Sequence, residues 1–357
     1  MLAAWVAEMD FGLAPSIASA LHDAVDRGLT GYSYPDAEEA VARAAAGFWH
    51  DRFDWRVDPS WVFPAPDVIE GIVRVIIHLT RPGSPVVLHT PVYFPFFSMV
   101  EWAGREIIEA PSLRAEDGRY GLDLGSIERG LAAGAGSVVL CNPWNPTGRV
   151  FEESELSDLL AVAAEHDARV IVDEIHGPIT FTGVSHLPLA TLDADRAITV
   201  TAASKAWNLP GLKCAQVVLT NERDRAAWAD HFEPHLVGAG TFGLVASEAA
   251  YSGGRDWFDG VLATLADNRR LLAKLIDEQL PEVRFALPEG TYLGWLDMSA
   301  YGLDNPNRFI RENARVALTS GWPFRGDGDQ NVRLNFATEP EILIEIVERI
   351  GTALSHR

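Results

Sequence analysis

The chain has 357 residues, 48% hydrophobic and 22% charged, a globular composition in a chain long enough that two packed lobes are expected rather than one core. Asp+Glu 50 against Lys+Arg 29 leaves a formal net charge of −21, and such a surface repels nucleic acid and anionic membranes. No apolar run reaches the ~20 residues of a membrane span, and two cysteines, Cys141 and Cys214, make no disulfide framework and fit a reducing cytoplasm.

From the N-terminus, "MLAAWVAEMDF" lacks a basic stretch and carries Glu8 and Asp10, so it does not read as a secretion signal. "PSIASALHDAVDRG" (15–28) reads as a helix leading into the turn "GYSYPD" (31–36), and residues 1–30 are expected to pack with the C-terminal lobe. Four short runs follow: Pro85–Leu88, Ser137–Cys141, Arg169–Val172 and Ala197–Val200. Each is apolar on both faces and bounded by turn residues, as strands of a buried parallel sheet are. Between the second and third, Leu156, Leu159, Leu160 and Ala163 form a helical stripe within 152–168, which makes a strand–helix–strand unit. After residue 255 the texture changes. A long helix over Phe258–Leu280 precedes two alternating runs, "TYLGWLDMS" and "NVRLNFA", and a final helix in "EPEILIEIVERIGTAL". The expected fold is α/β. A large domain, 31–255, would carry a mostly parallel sheet flanked by helices, and a smaller α+β domain would occupy 256–357.

The strands of the inferred sheet end in polar sequences. "TPVYFPF" supplies Tyr93, "NPWNPTG" supplies Asn145, "DEIHG" supplies Asp173 and His176, and "TAASK" ends on Lys205. Ligands of parallel sheets bind beyond the carboxyl ends of the strands, so these residues are expected to converge. A lysine forms a Schiff base with an aldehyde, and a buried acid holds a pyridine nitrogen protonated. An asparagine donates to a phenolate oxygen, and an aromatic ring stacks on a heterocycle. Together these are the requirements of pyridoxal 5′-phosphate. His166, His176 and His186 fall at no metal-ligand spacing, so no metal is expected. No dinucleotide-binding glycine fingerprint follows a strand.

"NPWNPTG", "VDEIHG" and "SKAWNLPGLK", in this order, resemble the pyridoxal-phosphate enzymes of fold type I, the aspartate aminotransferase superfamily. "WVAEMDF", "TPVYFPF", "DEIH" and "SKAWN" sharpen the resemblance to its cystathionine β-lyase/cysteine desulfhydrase (C–S lyase) branch. The resemblance implies that Lys205 carries the cofactor and later acts as base, Asp173 pairs with the ring nitrogen, and Asn145 and His176 flank the phenolic oxygen. It implies that Tyr93 stacks on the ring, and that the N–H groups of Val68 and Ile69 hold the phosphate, with Ser204 and Lys213 nearby. Tyr32 would reach the phosphate of a neighbouring subunit in a homodimer with shared active sites, and Arg333 would clamp the carboxylate of an amino-acid substrate. Ala202, Lys213, Asp67 and Asn208 depart from the superfamily, which usually carries serine, arginine, glycine and glycine there.

The implied reaction is C–S β-elimination, giving pyruvate, ammonia and a thiol. An aminotransferase is the alternative, and a regulatory or binding protein on the same fold is the second. The distal part of the substrate would meet "FTGVSHLPL" (181–189) and "HFEPHLVGAGTF" (231–242).

Overall fold

A computed structural model describes residues 1–231 and 238–356. Seven strands form the main sheet: β1 (Val62–Ala65), β2 (Val86–Thr90), β3 (Ile107–Pro111), β4 (Ser137–Cys141), β5 (Arg169–Asp173), β6 (Ala197–Thr201) and β7 (Ala215–Val218). Their spatial order is β1-β7-β6-β5-β4-β2-β3. All neighbours from β6 to β3 pair in parallel, and β7 alone runs against both of its partners. The four expected strands are present. β1, β3 and β7 complete the sheet beyond them.

Helices cover this sheet. Among them are α1 (Pro15–Asp26), α2 (Pro35–Phe53), α3 (Val68–Leu79), α4 (Glu153–Glu165), α5 (Thr241–Gly253), α6 (Arg255–Gln279) and α7 (Pro340–Ser355). The expected stripe of Leu156, Leu159, Leu160 and Ala163 is the buried face of α4. α3 lies close on the sheet because Gly71 faces it: a Cβ there would stand 2.9 Å from Val200 Cγ1 and 3.2 Å from Val217 Cγ2. The N-terminus of α3 is thereby set at the edge where β6 ends. No helix of the described residues is long and apolar enough to cross a membrane.

A second, antiparallel sheet forms from β8 (Arg284–Phe285), β9 (Leu293–Asp297), β10 (Thr319–Ser320) and β11 (Asn331–Asn335), in the order β8-β9-β11-β10. α6 and α7 pack together beside it. Residues 1–30 contact two separate regions of the chain, the C-terminal strands through residues 2–4 and α5 through α1. Leu2–Ala3 pairs in parallel with Val316–Ala317, and the Asn335 N–H donates to the Ala4 carbonyl at 2.9 Å. α1, by contrast, packs on α5, helix against helix, because its apolar stripe, with Ile17 and Ala24 buried, faces that way.

The turn after "NPWNPTG" is tied to the second sheet's lobe by a buried arginine. Arg149 donates to both carboxylate oxygens of Glu155 at 2.6 Å, to Glu289 Oε2 at 3.0 Å and to the Tyr120 carbonyl at 2.9 Å. Removing one partner of such a group strands the others without water. Arg149→Met is expected to lower the unfolding free energy by about 3 kcal/mol, read from urea titration. A loss below about 1 kcal/mol would show the network to be no stronger than a surface pair.

Candidate active site

The strand ends meet in a cavity of about 180 Å³ at the carboxyl edge of the parallel strands. Tyr93 follows β2, Asn145 follows β4, Asp173 closes β5 with His176 three residues on, and Ser204 and Lys205 follow β6. All six line it, with Val68, Ile69 and Lys213 on the opposite wall. Nine sequence-expected residues therefore come together. Arg333, on β11, joins them from the second sheet: its Nη1 donates to Asn145 Oδ1 at 2.9 Å. Tyr32 lies elsewhere, 85% exposed on the turn before α2.

Two tryptophans hold the loops that carry these groups. Trp207, two residues after Lys205, is fully buried against Phe48, Tyr251 and Phe258, and its Nε1 donates to the Gly254 carbonyl at 2.9 Å. Trp144, beside Asn145, is fully buried too, stacks on Phe151, and donates from Nε1 to the Pro91 carbonyl at 2.8 Å. Large rings with one satisfied polar atom suit such anchoring.

Burial sets the electrostatics. Lys205 Nζ donates to the Ala7 carbonyl at 2.8 Å. Its pKa is pulled down to about 8, first by burial and then by the Arg333 guanidinium, against Asp173 and Glu8. Burial pushes Asp173 up to about 7, opposed by the Ile175 N–H, which donates to its Oδ1 at 3.0 Å, and by Lys205. Arg333 is drawn down to about 10 by burial. Its Nη2 donates to the Trp5 carbonyl at 2.9 Å and to Thr319 Oγ1 at 3.3 Å, and its guanidinium lies over the Phe324 ring. His176 is held well below the usual imidazole range by burial, then by Lys205 and Arg333.

Asp67, which departs from the superfamily pattern and lines the cavity, has two jobs here. Oδ1 caps α3 by accepting from the Glu70 N–H at 2.9 Å, and Oδ2 takes the Lys213 ammonium at 2.7 Å. Lys213 is thus a cavity-wall residue already paired with a carboxylate. Asn208 is likewise explained. It stands at φ 57°, a left-handed conformation that asparagine tolerates, and its side chain binds the backbone of Met9 and Phe11.

The sequence reading missed Tyr292, whose hydroxyl donates to the Ala7 carbonyl at 2.9 Å, and Asn335, which holds Val6 and Glu8. Both lie beside quoted motifs, in "TYLGW" and "RLNFA", and the alternation of a half-buried strand was their only signal. The loop 181–189 does not reach the cavity. Its residues Gly183–Leu187 line a separate surface hollow with His50, Arg52 and Arg119, and His186 is buried against Glu174, 3.6 Å between Nε2 and Oε2. Within 231–242, residues 232–237 lie outside the described residues.

The sequence model of the class I and II aminotransferases matches residues 6–350. The chain belongs to that family. It is 38% identical to the cystathionine beta-lyase of Corynebacterium glutamicum over 99% of this chain and 94% of that protein. It superposes with a TM-score of 0.93 on a putative PLP-dependent beta-cystathionase from Corynebacterium diphtheriae, 40% identical, covering 99% of this chain and 93% of the other. It also matches the PLP-bound C–S lyase of Staphylococcus hominis with a TM-score of 0.91 at 27% identity, over 98% and 90% of the two chains. The central sheet, parallel but for one strand and flanked by helices, is the α/β arrangement expected.

The residues present fit pyridoxal phosphate. A buried carboxyl faces a primary amine across the cavity, and His176 Nδ1 is buried with no partner among the described residues. The first-turn N–H groups of α3, at Val68 and Ile69, have no partner within their own helix. They open onto the same wall, where an anion is favoured.

Two outcomes follow. Folding favours the protonated form of Asp173, so its contribution to stability is complete below about pH 4 and lost as pH rises through 7. Cofactor-free Asp173→Asn is expected to melt above the unsubstituted protein by a margin that widens from pH 5 to pH 8, and a variant that melts lower at pH 8 refutes this. Asp67→Asn keeps a helix cap and releases Lys213. Pyridoxal phosphate is then expected to bind about fivefold more tightly by fluorescence titration, and unchanged or weaker binding counts against the pairing.

Proposed function

We propose that the protein is a pyridoxal-phosphate-dependent C–S β-lyase of the cystathionine β-lyase type, which releases pyruvate, ammonia and a thiol from a sulfur amino acid. One observation carries the reading: Lys205, Asp173, Asn145, His176 and Tyr93, from four strand ends, share a single cavity with the N-terminus of α3. The names of the relatives, at 38% and 40% identity over nearly the whole chain, support the same chemistry.

In this reading Lys205 would bond the cofactor aldehyde, Asp173 would pair with the ring nitrogen, and Asn145 and His176 would flank the phenolic oxygen. Tyr93 stacks on the ring. The Val68 and Ile69 N–H groups hold the phosphate, with Ser204 and Lys213 beside them. When bound, pyridoxal phosphate supplies an electron sink for charge developing at the substrate Cα.

The chain's own groups do the rest. The Lys205 amine, with a pKa near 8, is partly neutral at pH 7–8 and takes the α-proton as general base. Asp173 would face the ring nitrogen with a carboxyl that the site favours protonated below pH 7 and that would ionise against a cationic partner. Arg333 offers a planar fork to a carboxylate. Asn145, Trp5 and Thr319 already fix its orientation, and Asn145 accepts from it through Oδ1, which turns the amide nitrogen away from the guanidinium.

Aminotransfer is the second reading, favoured by the match to the aminotransferase sequence model. It uses the same base and differs in where the proton goes. In either reading Tyr32, exposed on its turn, would reach the phosphate site of a partner subunit in a homodimer. A large domain of 31–255 and a small one of 256–357 follow the two sheets, and two buried free cysteines suit a reducing cytoplasm.

Incubation with L-cystathionine should release pyruvate, and Lys205→Ala should lower that rate at least ~10³-fold. Glutamate formed from an amino donor and 2-oxoglutarate, without pyruvate from cystathionine, would replace the lyase reading with the second one.

A further inference from the structure

The segment 5–11 crosses between the two sheets, and side chains of both hold its backbone. From β11, Asn335 Nδ2 donates to the Val6 carbonyl at 2.7 Å and to the Glu8 carbonyl, and Arg333 donates to the Trp5 carbonyl at 2.9 Å. From the loop after β6, Asn208 donates to the Met9 carbonyl at 2.8 Å and accepts from the Met9 N–H at 2.9 Å. Ala7 sits between the two carbonyls that Asn335 holds. Its own carbonyl takes two donors, Lys205 Nζ at 2.8 Å and the buried Tyr292 hydroxyl at 2.9 Å. A carbonyl oxygen has two lone pairs, and both are used.

We propose that the Ala7 carbonyl is the holding point of the Lys205 amine whenever that amine is not bonded to cofactor, and that Tyr292 and Asn335 are positioning residues that set its grip. Asn335 fixes the peptide on either side of Ala7. Tyr292 occupies the second lone pair and so weakens the pull of the first on Lys205. A base held through one N–H to a fixed acceptor keeps its lone pair free and its direction defined. A stronger acceptor would favour the ammonium, which has three N–H donors and no lone pair. Among the described residues, the other charged or titratable groups near Lys205 are Arg333 from β11, Asp173 from β5, Glu8 of the same segment and His176 after β5, with Tyr93, Asp67 and Lys213 lining the same cavity. None of them is removed by changing Tyr292.

The proposal rests on Lys205 being the cofactor lysine, yet its deciding measurement, the labelling of the cofactor-free chain, needs neither cofactor nor substrate, so the two readings fail separately. The chain has three lysines, Lys205, Lys213 and Lys274, and Lys274 is exposed on α6. The cofactor-free full chain is reductively methylated with formaldehyde across pH 6.5–9.5, and each lysine is quantified by peptide mass. With Tyr292→Phe, Lys205 labelling relative to Lys274 at pH 7.5 should fall about threefold, as the freed carbonyl grips the ammonium by about one neutral hydrogen bond more. With Asn335→Ala it should rise by about the same factor, because the acceptor is no longer fixed. In the holoenzyme Tyr292→Phe should lower kcat and leave KM for cystathionine unchanged. Tyr292→Phe alone decides if Asn335→Ala does not fold. An unchanged or increased Lys205 labelling ratio in Tyr292→Phe overturns the proposal.

Discussion

An amine, a carboxyl and a guanidinium share one region of this molecule largely removed from water, and none of the three is neutralised by closing on another. Lys205 donates to a backbone carbonyl, Asp173 accepts from a backbone N–H, and Arg333 donates to an amide, a carbonyl and a hydroxyl. Neutral partners satisfy the hydrogen-bonding capacity of a charge without cancelling it, so the charge remains available to a ligand. They also leave the desolvation penalty in force. The same burial that makes the site costly therefore lowers the lysine and raises the aspartate toward neutral pH.

The scaffold around the site answers that cost with rigidity. Trp144 and Trp207 pin the two loops nearest the chemistry into the core. Gly71 lets α3 lie close enough for its first turn to open on the cavity. The buried Arg149 fastens the asparagine loop to the lobe that carries Arg333 through Glu289. Groups with shifted proton affinities need walls that do not move, because solvent entering the cavity would restore their ordinary values.

Much of this was legible in the sequence. The four parallel strands announced themselves as short doubly apolar runs, and the polar residues that end them are the residues of the cavity. What was hidden depended on the register between distant segments. β7 runs against its neighbours, and nothing in "AQVV" says so, because direction belongs to the path of the chain and not to composition. Asn208 read as a departure from a glycine; in three dimensions it keeps the left-handed backbone and adds a side-chain anchor. Asp67 read as an acid misplaced beside a phosphate, and its cap and its lysine could be seen only once α3 and the loop after β6 were set side by side. Tyr292 and Asn335 looked like ordinary strand residues, since their partners lie 285 and 329 residues away.

Those separations have a temporal meaning. The segment 5–11 leaves the ribosome long before the strand that clasps it, since Asn335 lies 329 residues beyond Val6. Contacts of such span form late and slowly, since the loop they close runs to 329 residues. The main sheet is complete in the chain by residue 218, yet until β11 docks the Ala7 peptide lacks Asn335 and the lysine lacks its fixed acceptor. A chain without β11 can thus own a finished sheet and a Lys205 amine without its fixed acceptor. The readiness of that amine waits on a strand far along the chain, which couples the onset of reactivity to the docking of the second sheet.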